Sequence, residues 1–231
     1  MEWYKFKDLK VELKDNQKEK LIIFKNLLQQ ENEKYNLTSI TDDQEIIDKH
    51  FYDSLIFSNV FNLDNLEIMD IGTGAGFPGI VLKIIFPNSR IYLVESNGKK
   101  INFMNKVIQE LNLKNIWTVN KRAEEFSVLN KEKFDLIISR AMAPLNILLE
   151  VGVQALKING YFICLKGKNA EFEINDLNNC ENKIGLKLEK IQEIDDLVLG
   201  KRINLFYIKI ASTSNFYPRL YCQIKKRPLG K

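Results

Sequence analysis

"MDIGTGAGFPGIVLKIIF", residues 69–86, sets a glycine-rich turn between an apolar strand and an apolar helix. Turns of this kind hold nucleotide-like ligands, because glycine admits close backbone approach and the helix start offers bare N–H groups. The segment "GAGFPG", residues 74–79, matches G-x-G-x-x-G literally. Glycines that serve only a tight turn give the same match. Asp70, two residues before Gly72, narrows the choice of ligand. A carboxylate there repels a pyrophosphate, which wants uncovered N–H groups. It suits S-adenosylmethionine, which has no phosphate and carries a sulfonium and an ammonium. The expected cofactor is therefore S-adenosylmethionine, with Asp70, Gly72, Gly74 and Gly76 around it. The alternative for Asp70 is a turn acid bonded to its own loop.

Outward from this loop, short apolar runs alternate with helical stretches: "LEIMDI", "RIYLVES", "IWTVN", "FDLIIS" and "GYFICLKG" are strands with helices between them. Alternation of this kind implies right-handed crossovers and a doubly wound, mainly parallel sheet. "LKLEKIQEI" and "RINLFYIKI" follow with no helix between, which predicts an antiparallel hairpin closing one edge of a seven-stranded sheet. Glu95 ends the second strand, where an acid reaches the two hydroxyls of a ribose; adenosyl and NAD ligands fit it equally. In "NKRAEEF", Ala123 can offer a backbone N–H and Glu124 a carboxylate to an adenine edge, or both can simply start a helix.

Before the sheet, "NQKEKLIIFKNLLQQENEKYNL" spaces Leu21, Phe24 and Leu28 as one helix face. "TDDQEIIDKHFYDSLIFSNVF" predicts a second helix, with Thr41 and Gln44 as a capping box and an apolar stripe through Ile47, Phe51 and Leu55. The expected organisation is a helical extension over 1–64, the ligand-binding domain over 65–212 and a basic tail over 213–231.

The 231 residues, 45% hydrophobic and 28% charged, are ordinary for a globular protein. No apolar run reaches membrane-span length. Three separated cysteines and a single histidine argue against a disulfide framework or a zinc site and fit the cytoplasm. A net charge of +4 identifies no partner, but "YPRLYCQIKKRPLGK" holds Arg219, Lys225, Lys226, Arg227 and Lys231 without an acid. Interleaved with Tyr217 and Tyr221, these can grip RNA phosphates, or form a solvated terminus.

The fourth strand ends in Ser139-Arg140-Ala141, where enzymes that methylate exocyclic amines carry Asn/Asp-Pro-Pro-aromatic. Cys164 lies within an apolar strand, a core position and no place for a C5-methylating thiolate. No carboxylate cluster has metal spacing. What fits is an acceptor already nucleophilic, such as guanine N7, whose methylation needs positioning and no base. Arg140 and Lys166, at the C-terminal ends of parallel strands, are the positioning candidates. His50, Asp53 and Ser54 share a helix face, as substrate contacts or as a hydrogen-bonded packing cluster.

"YNLTSI", "HFYDSL", "DIGTGAGFPGI", "VESNGKKINFM", "RAEEF", "FDLIISRA", "LKGK" and the closing "YPR" and "KKRPL" together resemble the bacterial small-subunit ribosomal RNA guanine-N7 methyltransferases, the glucose-inhibited division protein B family. The resemblance spans nearly the whole chain. It implies a Rossmann-like class I methyltransferase with an N-terminal helical extension, acting as a cytoplasmic monomer. The implied substrate is a guanine in the decoding-region loop of 16S rRNA, naked or in the small subunit. Implied cofactor positions fall on Gly72, Phe77, Ala123, Glu124 and Arg140. An NAD(P)-dependent oxidoreductase and a non-catalytic RNA-binding protein are the two other classes considered.

Overall fold

The computed structural model describes residues 2–231. Seven strands form one sheet in the order β3-β2-β1-β4-β5-β7-β6. The strands β1 (Glu67–Ile71), β2 (Arg90–Val94), β3 (Ile116–Val119), β4 (Phe134–Arg140) and β5 (Leu156–Gly167) pair in parallel. Helices α3 (Gly79–Ile85), α4 (Gly98–Glu110), α5 (Ala123–Leu129) and α6 (Leu145–Gly152) make the crossovers, and α7 (Ala170–Leu177) follows β5. The chain winds outward from β1 to β3 and then restarts on the other side with β4. The crevice at the ends of β1 and β4 is therefore the switch point where a ligand sits.

The expected hairpin is present, with its second strand inside. β7 (Gly200–Lys209) lies antiparallel between β5 and β6 (Leu186–Asp196). The reason is legible in the side chains. Ile203, Leu205, Phe206 and Tyr207 are all buried, as suits a strand covered on both faces. β6 exposes Lys187, Glu189, Lys190 and Glu193, charges that protect an edge from further pairing.

Helix α1 (Asp15–Tyr35) buries Leu21, Phe24 and Leu28 completely, the predicted face. It packs on α3 and α4. Gln17 Nε2 donates to the carbonyls of Ile84 and Ile85 at 3.1 and 3.0 Å, closing the open C-terminal end of α3.

The second predicted helix is shorter and differently capped. Asp42, not Thr41, is the N-cap, its carboxylate accepting the Glu45 N–H at 2.9 Å. After α2 (Asp43–Ile46) the chain widens into a π-helical turn over Ile47–Tyr52, with Asp53 N–H donating to Asp48 O. A 3₁₀ turn, Ile56–Asn59, follows. The adjacent pairs Ile46–Ile47 and Leu55–Ile56 are all buried, which a regular helical stripe does not allow.

The segment 213–231 is folded against the domain. Gln154 Nε2 donates to the carbonyls of Ser214 and Tyr217, and the short helix α8 (Tyr221–Lys226) buries Ile224 beside α6. Among the described residues no helix is long and apolar enough to cross a membrane.

A cavity at the strand switch point

The glycine loop is braced from beneath by Asp70. This side chain is fully buried, and its Oδ2 accepts the Thr73 hydroxyl at 2.6 Å and the Gly79 N–H at 2.8 Å. Burial pushes its carboxyl up to about 7. The expectation that Asp70 faces the sulfonium is thus corrected: it is the turn acid, tying the first N–H of α3 to the end of β1. A Cβ on Gly79 would lie 2.7 Å from Asp70 Oδ2 and run into Leu93, so glycine lets α3 dock on the sheet. Gly72 adopts φ +64°, and a side chain there would strike Met142.

A cavity of about 340 Å³ opens at the switch point. Gly72, Glu95, Ala123, Glu124 and Arg140 line it, as the sequence reading expected. Glu95 is held in place by two bonds, Oε2 accepting Gly74 N–H at 3.2 Å and Oε1 accepting Asn97 N–H at 2.9 Å. Gly74 takes part only through that bond. Gly76 and Phe77 do not reach the cavity wall. Phe77 instead stacks with Phe24 and His50 at centroid distances of 5.2 and 4.5 Å, in the core between α1 and the loop.

Arg140 ends β4 with its side chain only 16% exposed. Nη1 donates to Asp53 Oδ2 at 3.3 Å and to Lys49 O at 3.1 Å, and Nη2 lies 3.2 Å from His50 Nδ1. The guanidinium also covers the Phe77 ring at 5.0 Å. His50 can accept at Nδ1 and donate from Nε2 to Thr38 Oγ1, 2.8 Å away, only as the neutral ring. Its pKa agrees, lowered to about 3 by burial and then by Arg140. Asp53 bonds a second cation, Arg202 Nε, at 2.8 Å. Ser54 is buried and donates to His50 O. His50, Asp53 and Ser54 therefore form the packing cluster, and it clamps a cavity residue from behind.

Two other expected RNA contacts are engaged internally. Lys166 Nζ donates to Ala143 O at 2.6 Å and to Glu173 Oε2 at 2.7 Å. Arg219 grips the fully buried Glu150 with Nε at 2.8 Å and Nη2 at 2.6 Å. Lys225, Lys226 and Arg227 are exposed on and after α8. Cys164 is buried in β5, and burial pushes its thiol up to about 12, far from a working nucleophile.

The sequence reading missed Lys100, Lys121, Arg122 and Tyr221 on the cavity wall. Lys100 opens α4 just after Glu95, and Lys121 and Arg122 follow β3, so each occupies a strand-to-helix turn on the ligand side of the sheet. That position was the available signal. Tyr221 had none: it arrives with the folded terminal segment and stacks against Arg122 at 4.7 Å.

Known proteins match this arrangement. The profile of the GidB family, described as rRNA small subunit methyltransferase G, matches residues 17–198. Ribosomal RNA small subunit methyltransferase G of Mycoplasma capricolum is 56% identical over 90% of both chains. That of Clostridium botulinum (strain Eklund 17B / Type B) is 41% identical over 96% of this chain and 95% of its own. Among solved structures, a SAM-dependent methyltransferase from Aquifex aeolicus superposes with TM-score 0.56 at 16% identity, over 76% of this chain and 97% of that one. M. jannaschii TYW2 in complex with AdoMet gives 0.57 at 19% identity, over 74% and 80%. These structures share the fold, a class I methyltransferase architecture. On the profile match and the full-length relatives, the chain belongs to the rRNA small subunit methyltransferase G family.

Proposed function

We propose that this S-adenosylmethionine-dependent enzyme methylates N7 of one guanine in the decoding-region loop of 16S rRNA. The cavity residues fit the methyl donor. Glu95 offers its carboxylate where a ribose diol lies, Val94 and Met142 supply apolar wall, and Gly72 leaves the backbone bare. Among the described residues, three of the five Arg140 N–H groups have partners, so two can hold a ligand carboxylate. When bound, S-adenosylmethionine supplies a methyl carbon on a sulfonium, which departs with its bonding pair as a neutral thioether.

The acceptor follows from which groups are withheld from the chemistry. His50 is neutral but bonded at both ring nitrogens, and Asp70 is closed beneath the loop. Asp70, the carboxyl held near neutrality, and His50, held well below it, are both closed to a substrate proton. Guanine N7 needs none: its in-plane lone pair forms the new C–N bond, and the positive charge passes from sulfur to the base. Positioning then supplies the catalysis. The locking of the single histidine at both ring nitrogens is the observation that carries the N7 reading.

Lys121, Arg122, Lys225, Lys226 and Arg227 give RNA phosphates an exposed basic approach. In this reading residues 65–212 are the catalytic unit, 1–64 braces Arg140 from behind, and 213–231 adds Tyr221 to the cavity wall. One chain builds that cavity, so a monomer suffices, working in the cytoplasm on the RNA or the small subunit. Borohydride reduction followed by aniline cleaves RNA at N7-methylguanine. 16S rRNA from cells with the protein is expected to show one cleavage that is absent without it; identical patterns would overturn the N7 assignment.

A further inference from the structure

A second concavity, of about 650 Å³, lies beside the donor cavity. The two share Ala141, Met142 and Ala143 as a common wall. This wall is held from behind, because Lys166 Nζ bonds Ala143 O and Glu173 Oε2 accepts the Leu145 N–H at 2.7 Å. The opposite side is α7, which presents Phe172 to the concavity with 69% of its surface exposed. A single exposed aromatic is ordinary on a protein surface. Here it lines a hollow that is one wall away from the methyl donor, the place where an acceptor must lie.

We propose that this concavity is the acceptor subsite, in which an unstacked guanine lies on Phe172 with its N7 edge toward the Ala141–Ala143 wall. The inference rests on the N7 reading above and adds the residues that hold the base. Bases reach a protein active site only when unstacked, and they are then held on aromatic faces. With N7 turned to the shared wall, the guanine presents N1–H and the 2-amino group on its far side. Those donors need acceptors. The exposed Asn169, which lines the concavity just before α7, supplies one in its side-chain carbonyl. Adenine has a lone pair at N1 and no 2-amino group, so it offers that carbonyl no donor. Lys168, exposed at the mouth, suits a flanking phosphate.

The test uses the full-length protein on the RNA whose guanine the wild type methylates. Phe172→Ala is expected to slow methyl transfer at saturating RNA about tenfold, the scale of one lost base stack. Phe172→Trp restores it, and calorimetric binding of S-adenosylhomocysteine is unchanged in both variants. RNA with inosine at the target keeps N7 but lacks the 2-amino group. Wild type methylates it about tenfold more slowly, and Asn169→Ala narrows that difference. A Phe172→Ala protein with the wild-type rate, a loss that Trp does not repair, or inosine methylated as fast as guanine overturns the subsite. If wild type methylates no guanine N7 at all, the parent reading fails, and the subsite with it.

Discussion

Two sets of cations, one buried and one exposed, do opposite things in this molecule. Arg140, Lys166 and Arg219 point inward, their side chains 16%, 6% and 16% exposed, and each meets a carboxylate: Asp53, Glu173 and Glu150. Lys121 and Arg122 point outward, with Lys100 half-buried between the sets. No ion pair engages Lys100 or Lys121 among the described residues, while Arg122 lies 3.7 Å from Glu124 and stacks on Tyr221. A buried charge must be paired, so the inner set fixes geometry; an exposed charge stays available to displace counterions from RNA. Position at a strand end therefore does not identify an RNA contact. Burial separates the two roles.

The sharpest way to break this comparison is to remove an inner partner. Asp53→Ala strips the carboxylate from Arg140 and Arg202 together and leaves Arg140 buried without its counterion. Urea unfolding should show stability lower by about 3–5 kcal/mol, the usual result of orphaning one member of a buried pair. Weaker binding of S-adenosylhomocysteine should accompany it. A midpoint equal to wild type would place Arg140 among the outer set.

The outer set should behave in the reverse manner. Lys121→Ala should leave stability within about 0.5 kcal/mol, as expected of a solvated surface change. RNA affinity should fall, and the slope of log affinity against log salt should shrink by about 0.7–0.9 for each phosphate that is no longer neutralised. An unaltered slope would show that Lys121 does not touch the backbone.

The smallest effect concerns Asp70, a buried group whose partners are neutral donors. Its carboxyl sits at about 7 in the folded protein against 3.8 ordinarily, so the folded chain keeps a proton that the unfolded chain has lost. Stability from this group is fully present below about 4 and declines as pH rises through 7. Burial is the leading cause, with Glu95 raising the value further and Arg140 opposing it. Asp70→Asn cannot titrate, and its thermal midpoint should vary less between pH 4 and 7 than that of wild type. Equal pH profiles would show an ionised Asp70 throughout.

The sheet was readable because strands buried on both faces write themselves as short apolar runs, and "FDLIIS" or "GYFICLKG" can be little else. Glu95 was readable as a cavity residue because its place on the wall depends on being at a strand end. The inner cations were not, since the sequence shows Arg140 and Arg219 as charges without showing Asp53, 87 residues away from the first, or Glu150, 69 from the second. The π-helical turn was missed for a local reason: adjacent apolar pairs satisfy a helical stripe on paper and the core rotates both members inward. Asp70 was misassigned because a ligand's charge and an uncapped helix N–H make the same demand on a carboxylate. Only the position of Gly79 decides between them.

The carboxylate of Asp53 also has a kinetic meaning. It joins the turn after α2 to β4 and to β7, segments 87 and 149 residues apart along the chain. Closing loops of that length is slow, and the pairing rewards the chain only after the sheet around it exists. The glycine loop and Glu95 depend only on β1 and β2, while Arg140 depends on partners from both ends of the chain. An anchored Arg140 thus requires the turn after α2, β4 and β7 to be in place together, three segments far apart in the chain, so the cavity's cation is a property of the whole fold and of no single part of it.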